Sequence, residues 1–302
     1  MRTRPVGPAR LPLPLVGQGT WQLERAHRRT AVHALNTGID LGMTHIDTAE
    51  SYGGGAVEEL VGAAVRQRRD EVFLTSKVRP ANATARGTVA ACEASLRRLG
   101  TDHLDLYLLH WPSEHPLEET LAGLRELRRA GKIRHYGVSN FHGRRLAELP
   151  ASTEPGEILC NQVLHHLGER SIGLRVAPAC RAEGIAVVGY SPFGLGTFPP
   201  SPAAGAVLDG IARAHGATRR QIALAFLVRD PHTFTLAKAA TPAHTTENAA
   251  AATIALSDAE AALIAAVCPL PADDSGLPDA PWTPGPVRPP RAGQRPRPRT
   301  RR

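Results

Sequence analysis

The stretch Val72–His110, VFLTSKVRPANATARGTVAACEASLRRLGTDHLDLYLLH, holds one repeat of the pattern that decides the fold. It opens with a short apolar run, Val72–Lys77, and closes with a second one, Leu104–His110. Between them lies Thr84–Leu99, an amphipathic segment whose apolar residues recur every three or four positions. Gly100 follows, where a helix end favours left-handed backbone. A strand, a helix and a second strand in this order predict neighbouring parallel strands of one sheet.

The same alternation continues along the chain from residue 15 to residue 238. The runs that predict strands are Leu15–Gly17, Thr44–Asp47, Val72–Lys77, Leu104–His110, Ile133–Ser139, Ile158–Gln162, Ala186–Ser191 and Phe234–Lys238. The segments that predict helices are Ala56–Arg69, Thr84–Leu99, Pro116–Ala130, Ile172–Glu183 and Ala203–His215. Eight strand-helix units in about 250 residues predict an α/β fold, the closed (β/α)8 TIM barrel. We expect residues 1–270 to form it as a single domain.

A doubly wound open sheet is the competing architecture, because it alternates strands and helices in the same way. Its dinucleotide-binding turn carries three glycines in the pattern G-x-G-x-x-G. The early glycine cluster Gly17-Gln18-Gly19-Thr20-Trp21 lacks the third glycine. The sequence therefore favours the barrel.

Composition and charge exclude several classes of protein. The chain has 302 residues, of which 42% are apolar and 21% charged, as in ordinary globular domains. Of the formal net charge of +8, +4 falls in residues 269–302, so the rest of the chain lacks the charge of a nucleic-acid surface. No run reaches the ~20 apolar residues that cross a bilayer. We expect neither a nucleic-acid partner nor a membrane partner.

The C-terminal residues 271–302 are predicted to be a disordered tail, because a segment so rich in Pro and Arg has little apolar surface to bury. The alternative is a basic arm that touches an acidic partner. Four scattered cysteines without a CxxC motif predict neither a disulfide framework nor a zinc site. A cytoplasmic location fits this pattern. The oligomeric state is not readable from the sequence, and a monomer is compatible with it.

Lysine is rare in this chain, since only Lys77, Lys132 and Lys238 occur among 36 basic residues. Lysine differs from arginine because its pKa shifts readily when it is buried and its charge is compact. Lys77 and Lys238 end predicted strands, at the face where barrel enzymes carry their chemistry. Lys132 precedes a strand and is predicted to be a solvated turn residue.

Polar residues at the ends of three consecutive predicted strands form a candidate catalytic group. A phenol is a weak acid at its reference pKa of ~10, and a nearby ammonium lowers that pKa. We therefore predict Tyr52 as a proton donor to a carbonyl that receives a hydride, with Lys77 supplying the charge. Asp47 is expected to pair with Lys77, and His110 to bind a substrate oxygen or to share the proton. Taken singly, each residue also has an ordinary structural explanation, such as a helix cap or a packed ring.

From Gly17 to about Leu256 the sequence resembles the aldo-keto reductase family. The motifs that carry the resemblance are His45-Ile46-Asp47-Thr48-Ala49-Glu50 with Tyr52, Thr75-Ser76-Lys77, Leu106–Pro112, Gly131–Arg134, Gly137–Phe141, Asn161-Gln162-Val163, Gly189–Pro192 and Glu247-Asn248. So many motifs in the right order make the resemblance specific.

The resemblance implies NADPH, with NADH as the alternative, bound in an extended form across the C-terminal mouth of the barrel. It implies that Tyr52 is the acid, supported by Asp47, Lys77 and His110. Tyr190 would stack on the nicotinamide ring, and its carboxamide would be held by polar side chains. The cofactor-binding residues implied are Gly19, Thr20, Trp21, Asp47, Ser139, Asn140, Gln162, Tyr190, Ser191, Lys238, Thr241, His244, Glu247 and Asn248.

Two residues depart from the family pattern in the segment that resembles its adenosine-phosphate clamp. Members that favour NADPH usually carry serine where Ala239 stands and arginine where His244 stands. Arginine binds phosphate through two parallel hydrogen bonds, which a mostly neutral histidine does not match. Lys238 keeps NADPH the expected cofactor, with a weak preference over NADH.

The substrate pocket is predicted to contain Trp21, Tyr52, His110 and Trp111, with Phe193 nearby. The short loop after His110 indicates an open, apolar pocket for small aldehydes or ketones, although the same aromatics are also suited to packing at the barrel rim. Two rival functions remain open: a non-catalytic nucleotide-binding regulatory or scaffold subunit on the same barrel, and a lyase or isomerase that forms an imine at Lys77.

Overall fold

Eight parallel strands pair side by side into a closed ring in the computed structural model, which describes residues 1–273, 277 and 278. The strands are β1 (Thr3–Val6), β2 (Leu11–Pro14), β3 (Val16–Gly19), β4 (His45–Asp47), β5 (Phe73–Val78), β6 (Leu104–Leu109), β7 (Ile133–Ser139), β8 (Ile158–Leu164), β9 (Ala186–Tyr190) and β10 (Thr233–Lys238). Strands β3 to β10 form the barrel, and β10 pairs with both β3 and β9. The predicted TIM barrel is confirmed.

The helices run back along the outside of the barrel between its strands. They are α1 (Arg28–Asp40), α2 (Ala56–Val65), α3 (Ala85–Leu99), α4 (Leu117–Arg129), α5 (Gly143–Ser152), α6 (Val176–Ala182), α7 (Pro202–Ala214), α8 (Arg219–Leu227), α9 (Pro242–Ala250) and α10 (Asp258–Val267). Gly100, Gly131 and Gly184 follow α3, α4 and the turn after α6 with positive φ angles of 66°, 71° and 68°. The stop signal at Gly100 is therefore confirmed, and Gly131 and Gly184 end their helices in the same way.

The apolar residues of the strands divide between two layers, because successive side chains on a strand point to opposite faces. Ile46, Leu74 and Val78 lie in the layer between strands and helices. Leu108 and Leu236 fill the inside of the barrel. The alternating positions on β4 and β5 therefore point inward, and they carry the polar residues of the site described below.

The N-terminal hairpin is a feature that the sequence analysis did not predict. Strands β1 and β2 pair antiparallel, and they carry prolines at positions 5, 12 and 14. Proline argues against a central strand but is tolerated at an edge, and both strands of an isolated pair are edges. Val6 and Leu13 are buried with the residues of the barrel interior, so the hairpin covers the N-terminal end of the barrel.

Several helix predictions differ from the structure at their ends. The helix predicted to Arg69 ends at Val65, because the chain tightens into a turn in which the Arg68 backbone N–H donates to the Val65 carbonyl. The segment predicted from Ile172 is helical in two pieces, a short turn at Ser171–Gly173 and then α6. Helices α1, α5, α8 and α10 lie outside the helical segments named in the sequence analysis.

The predicted tail begins inside the described part of the chain. Leu277 is only 4% exposed and packs in the layer between strands and helices, and the Pro278 carbonyl lies 3.4 Å from His142 Nε2. Residues 274–276 and 279–302 lie outside the described residues, so the prediction of disorder stays a prediction. In the described part of the chain, no helix has the length and apolar character needed to cross a membrane.

Candidate active site

The four residues predicted to be catalytic meet at the C-terminal end of the barrel. Asp47 is the last residue of β4, Lys77 lies near the end of β5, and His110 directly follows β6. These three strands are neighbours in the ring. Tyr52 lies in the turn between β4 and α2, which brings its phenol back over the strand ends. The fold therefore brings all four together.

Lys77 is the centre of the group and is completely buried. Its ammonium donates to Asp47 Oδ1 at 2.5 Å, to the Thr48 carbonyl at 2.7 Å and to the Tyr52 hydroxyl at 3.4 Å. The three N–H bonds of the ammonium thus have three acceptors. Burial lowers the pKa of Lys77, while the adjacent carboxylate of Asp47 acts in the opposite direction.

The pKa of Tyr52 differs from the expectation that Lys77 would depress it. Burial of the phenol, followed by the negative charge of Asp47, raises this pKa well above its reference value of 10. Desolvation disfavours the charged form of a buried phenol, and the ammonium that favours it is already paired with Asp47. The phenol is therefore protonated at neutral pH.

His110 stands edge-on to the tyrosine ring, with 5.7 Å between the ring centroids. Burial and the charge of Lys77 lower the pKa of His110 well below its usual value, so the imidazole is neutral at neutral pH. Its Nδ1 lies 3.5 Å from the Ser51 hydroxyl. That contact leaves Nε2 as the ring nitrogen available to a substrate.

A second polar group adjoins the first and contains several predicted cofactor-binding residues. Gln162 Nε2 donates to the second oxygen of Asp47 at 2.8 Å, and the Ser139 hydroxyl donates to the Gln162 carbonyl at 2.9 Å. The bond between Gln162 and Asp47 joins residues 115 positions apart, and no motif in the sequence signals it. Asp47 is therefore held by a lysine on one oxygen and by an amide on the other.

Asn140 connects this group to the tyrosine of β9. Its amide nitrogen donates to the His110 carbonyl and to the Ser139 hydroxyl, both at 3.0 Å. The Tyr190 hydroxyl donates to Asn140 Oδ1 at 2.9 Å. Asn140 and Ser191 have positive φ angles of 62° and 53°, a conformation that costs a non-glycine residue energy and recurs at functional sites.

Glu50 is a residue of the site to which the sequence analysis gave no role. Its carboxylate accepts the Arg79 backbone N–H at 2.7 Å and the Asn82 side-chain amide at 3.0 Å. Glu50 lies in the turn that carries Tyr52, and Arg79 and Asn82 lie in the loop after β5. The signal available in the sequence was its place in the motif three residues after Asp47.

The other predicted cofactor residues lie along the same rim. Gly19 pairs in register with Asp47, and the buried Thr20 donates from its hydroxyl to the Asp47 carbonyl at 2.8 Å. Thr241 caps α9 by accepting the His244 backbone N–H. Lys238 and His244 are exposed, Asn248 is buried, and Glu247 accepts the Thr218 hydroxyl at 2.6 Å.

The aromatic residues of the predicted substrate pocket are not equally available. Trp111 is only 8% exposed, whereas Trp21 and Tyr52 are half-buried. Phe193 packs edge-on against Phe198 at 5.4 Å. In residues 1–273, 277 and 278, no cluster of three His, Cys, Asp or Glu side chains is placed to hold a metal ion.

A model of a known protein family matches most of this chain. The model of the aldo/keto reductase family covers residues 15–268. The chain belongs to the aldo/keto reductase family. The predicted family, barrel fold and enzyme class are thereby confirmed, and this aldo/keto reductase is an oxidoreductase that reduces carbonyl groups.

Similar proteins with a name or a solved structure match between 70% and 93% of this aldo/keto reductase. Methylglyoxal reductase YeaE of Escherichia coli is 43% identical over 268 residues, 88% of this chain and 94% of that protein. An aldo/keto reductase from Klebsiella pneumoniae, solved with NADP and acetate, is 38% identical, has a TM-score of 0.86 and covers 93% of this chain and 100% of its own. Glyoxal reductase of Bacillus subtilis is 34% identical over 215 residues, 70% of this chain and 74% of its own.

Proposed function

We propose that this aldo/keto reductase reduces a small 2-oxoaldehyde to an alcohol with NADPH, and that Tyr52 donates the proton. The observation that carries the proposal is the position of the Tyr52 hydroxyl, 3.4 Å from a buried ammonium whose other two N–H bonds go to Asp47 and the Thr48 carbonyl. A phenol next to a fixed positive charge is suited to giving up a proton to a developing alkoxide.

The residues at the rim fit a nicotinamide dinucleotide. When bound, the nicotinamide supplies the hydride to the carbonyl carbon. The side-chain oxygen of Gln162 accepts no hydrogen bond from the described residues, so it is available to the N–H bonds of a carboxamide. Lys238 is exposed and has no carboxylate within ion-pair distance in that part of the chain, which suits it to a phosphate. Relatives solved with NADP or NADPH support the same cofactor.

The proton is held at Tyr52 until charge develops on the substrate oxygen. The raised pKa keeps the phenol protonated at neutral pH, although an alkoxide is far more basic than a phenolate and still takes the proton. The phenolate that remains lies within reach of the Lys77 ammonium. Asp47 keeps that ammonium charged against the cost of its burial.

His110 orients the substrate oxygen toward Tyr52. The imidazole is neutral, and its Nδ1 faces the Ser51 hydroxyl, so Nε2–H is the group that donates to the carbonyl. The alternative of an imine at Lys77 requires a free amine, and the nitrogen of Lys77 is hydrogen-bonded at three positions instead.

The substrate class rests on named relatives and on the site. Two of them are a methylglyoxal reductase and a glyoxal reductase, whose names denote small 2-oxoaldehydes. The site itself supplies two neighbouring donors, Tyr52 and His110, to the oxygen of the carbonyl that is reduced. We also propose a cytoplasmic location, in keeping with the four free cysteines.

The test is a panel of methylglyoxal, glyoxal, simple aldehydes and simple ketones, assayed by the loss of nicotinamide absorbance with NADPH and with NADH. We expect the highest kcat/KM for the 2-oxoaldehydes with NADPH. Equal kcat/KM for acetone and methylglyoxal would reject the substrate class. The absence of turnover with any carbonyl would reject the catalytic proposal.

A further inference from the structure

We propose that Arg220 binds a phosphate group of the nucleotide cofactor. Among the described residues, no acidic side chain pairs with Arg220. The inference rests on the proposed NADPH-dependent function and adds a residue to it. It starts from an exposed arginine at the second position of α8, outside the residues discussed so far.

Arg220 is held in place by an aromatic ring of the neighbouring loop. Its guanidinium carbon lies 5.3 Å from the centroid of Phe193, and Phe193 is itself packed against Phe198. A guanidinium over a ring keeps its N–H bonds free at the edges, because the stacking uses the flat face. The stack therefore orients the charge without consuming its hydrogen-bond donors.

The position of this stack follows from the two strands beside it. Phe193 lies three residues after Tyr190, at the end of β9, and Tyr190 pairs in register with Leu236 of β10. Lys238 follows two residues later on β10. A dinucleotide that reached from Tyr190 to Lys238 would pass along the ends of β9 and β10, and its pyrophosphate would lie between these two residues.

The first turn of α8 is hydrogen-bonded to α9, the helix that follows Lys238. The Thr218 hydroxyl donates to the carboxylate of Glu247 on α9 at 2.6 Å, and Gln221 Nε2 donates to the Glu247 carbonyl at 2.9 Å. Arg220 is therefore placed between the loop after β9 and the helix that follows Lys238.

The charge of Arg220 has no carboxylate partner in the described part of the chain, in contrast to that of its neighbour. Arg219 makes two hydrogen bonds to Asp209, at 2.8 and 2.7 Å. The first turn of α8 contains no acidic residue, and a cation there is disfavoured by the helix dipole. A phosphate would neutralise the guanidinium and interact favourably with the same dipole.

The test measures binding rather than turnover, by calorimetric titration of 2′,5′-ADP, ADP and 5′-AMP into the intact protein. We expect Arg220→Ala to weaken 2′,5′-ADP or ADP by about tenfold, or about 1.4 kcal/mol. A loss confined to 2′,5′-ADP assigns Arg220 to the 2′-phosphate, and a loss confined to ADP assigns it to the pyrophosphate. Arg220→Lys, which keeps the charge, should recover part of the affinity.

Arg86 provides a matched control. It is also an exposed arginine at the second position of a helix, but α3 follows β5, across the ring from β9. Arg86→Ala should leave all three affinities unchanged. Unchanged affinities in Arg220→Ala, or an equal loss in both variants, would overturn this inference while leaving the proposed reaction intact. A wild-type protein that binds none of the nucleotides would overturn both.

Discussion

In the proposed mechanism, the proton transfer depends on one buried ammonium with three acceptors. Lys77 is useful because arginine cannot replace it: its compact charge fits between Asp47, the Thr48 carbonyl and the Tyr52 hydroxyl. In a chain with only three lysines this one is completely buried. A buried charge without its partner is costly, so Asp47 and Lys77 depend on each other.

Removal of the phenolic oxygen tests the proton donor directly. In Tyr52→Phe we expect kcat to fall by about 10²- to 10⁴-fold, the range that a positioned acid contributes. The dissociation constant for NADPH, measured by quenching of tryptophan fluorescence, should stay within about twofold because the ring remains. Near-normal kcat in this variant would remove Tyr52 from the mechanism.

The exposed His244 allows a test of cofactor preference at a single residue. We expect His244→Arg to lower the dissociation constant for NADPH relative to that for NADH by about tenfold, since a bidentate arginine adds a charge-assisted bond to the 2′-phosphate. The two constants are measured side by side, with His33→Arg on α1 as a control for added charge. A ratio that does not change would show that residue 244 does not contact the phosphate.

Among the structural elements, two loops beside the site are joined by hydrogen bonds. Glu50 joins the turn that carries Tyr52 to the loop after β5 through Arg79 and Asn82. The distance between the phenol and Lys77 therefore depends on a contact outside the catalytic group. We therefore propose Glu50 as a positioning residue for Tyr52.

Loss of this contact should loosen Tyr52 without removing it. In Glu50→Ala we expect kcat to fall by about tenfold, because small displacements of a catalytic group are costly. Glu50→Gln keeps an oxygen acceptor and should retain most of kcat. Both variants are measured at saturating NADPH, with the neighbouring exposed Glu59→Ala as a control. Wild-type kcat in Glu50→Ala would mean that the turn is held by other contacts.

The elements also show what the sequence predicts and what it does not. Strand ends can be predicted because a barrel strand is a short apolar run that stops at a polar residue. The sequence therefore correctly predicts that Asp47, Lys77 and Ser139 lie at the C-terminal end of the barrel. The contact of Gln162 with Asp47 depends on the closure of the ring, which brings distant strands together. The direction of the Tyr52 pKa shift depends on burial, which has no local signal in the sequence.

The stability of the whole molecule should depend on pH through its buried histidines. His45 lies inside the barrel with its Nε2 3.1 Å from the Thr75 hydroxyl, and burial lowers its pKa to about 4. An unfolded histidine binds a proton near pH 6.5, whereas the folded one does not until about pH 4. The free energy of unfolding therefore decreases as the pH falls through this window.

Substitution of His45 measures its share of this pH dependence. One such histidine contributes at most about 1.4 kcal/mol per pH unit to the free energy of unfolding. We expect His45→Gln to flatten the dependence between pH 6.5 and 5, as measured by urea denaturation at each pH. The exposed His33→Gln is the control and should keep the wild-type slope. The same slope in both variants would contradict the assignment to His45.

The hairpin of β1 and β2 has a practical consequence. It covers the end of the cylinder away from Tyr52, and Met1 lies there beside Gly42, in the turn before β4. Pro278, by contrast, lies next to His142, three residues after Ser139. A linker for immobilisation on a bead is therefore best attached through the first residue, which leaves the catalytic opening facing the bulk solution and reachable by diffusing aldehydes.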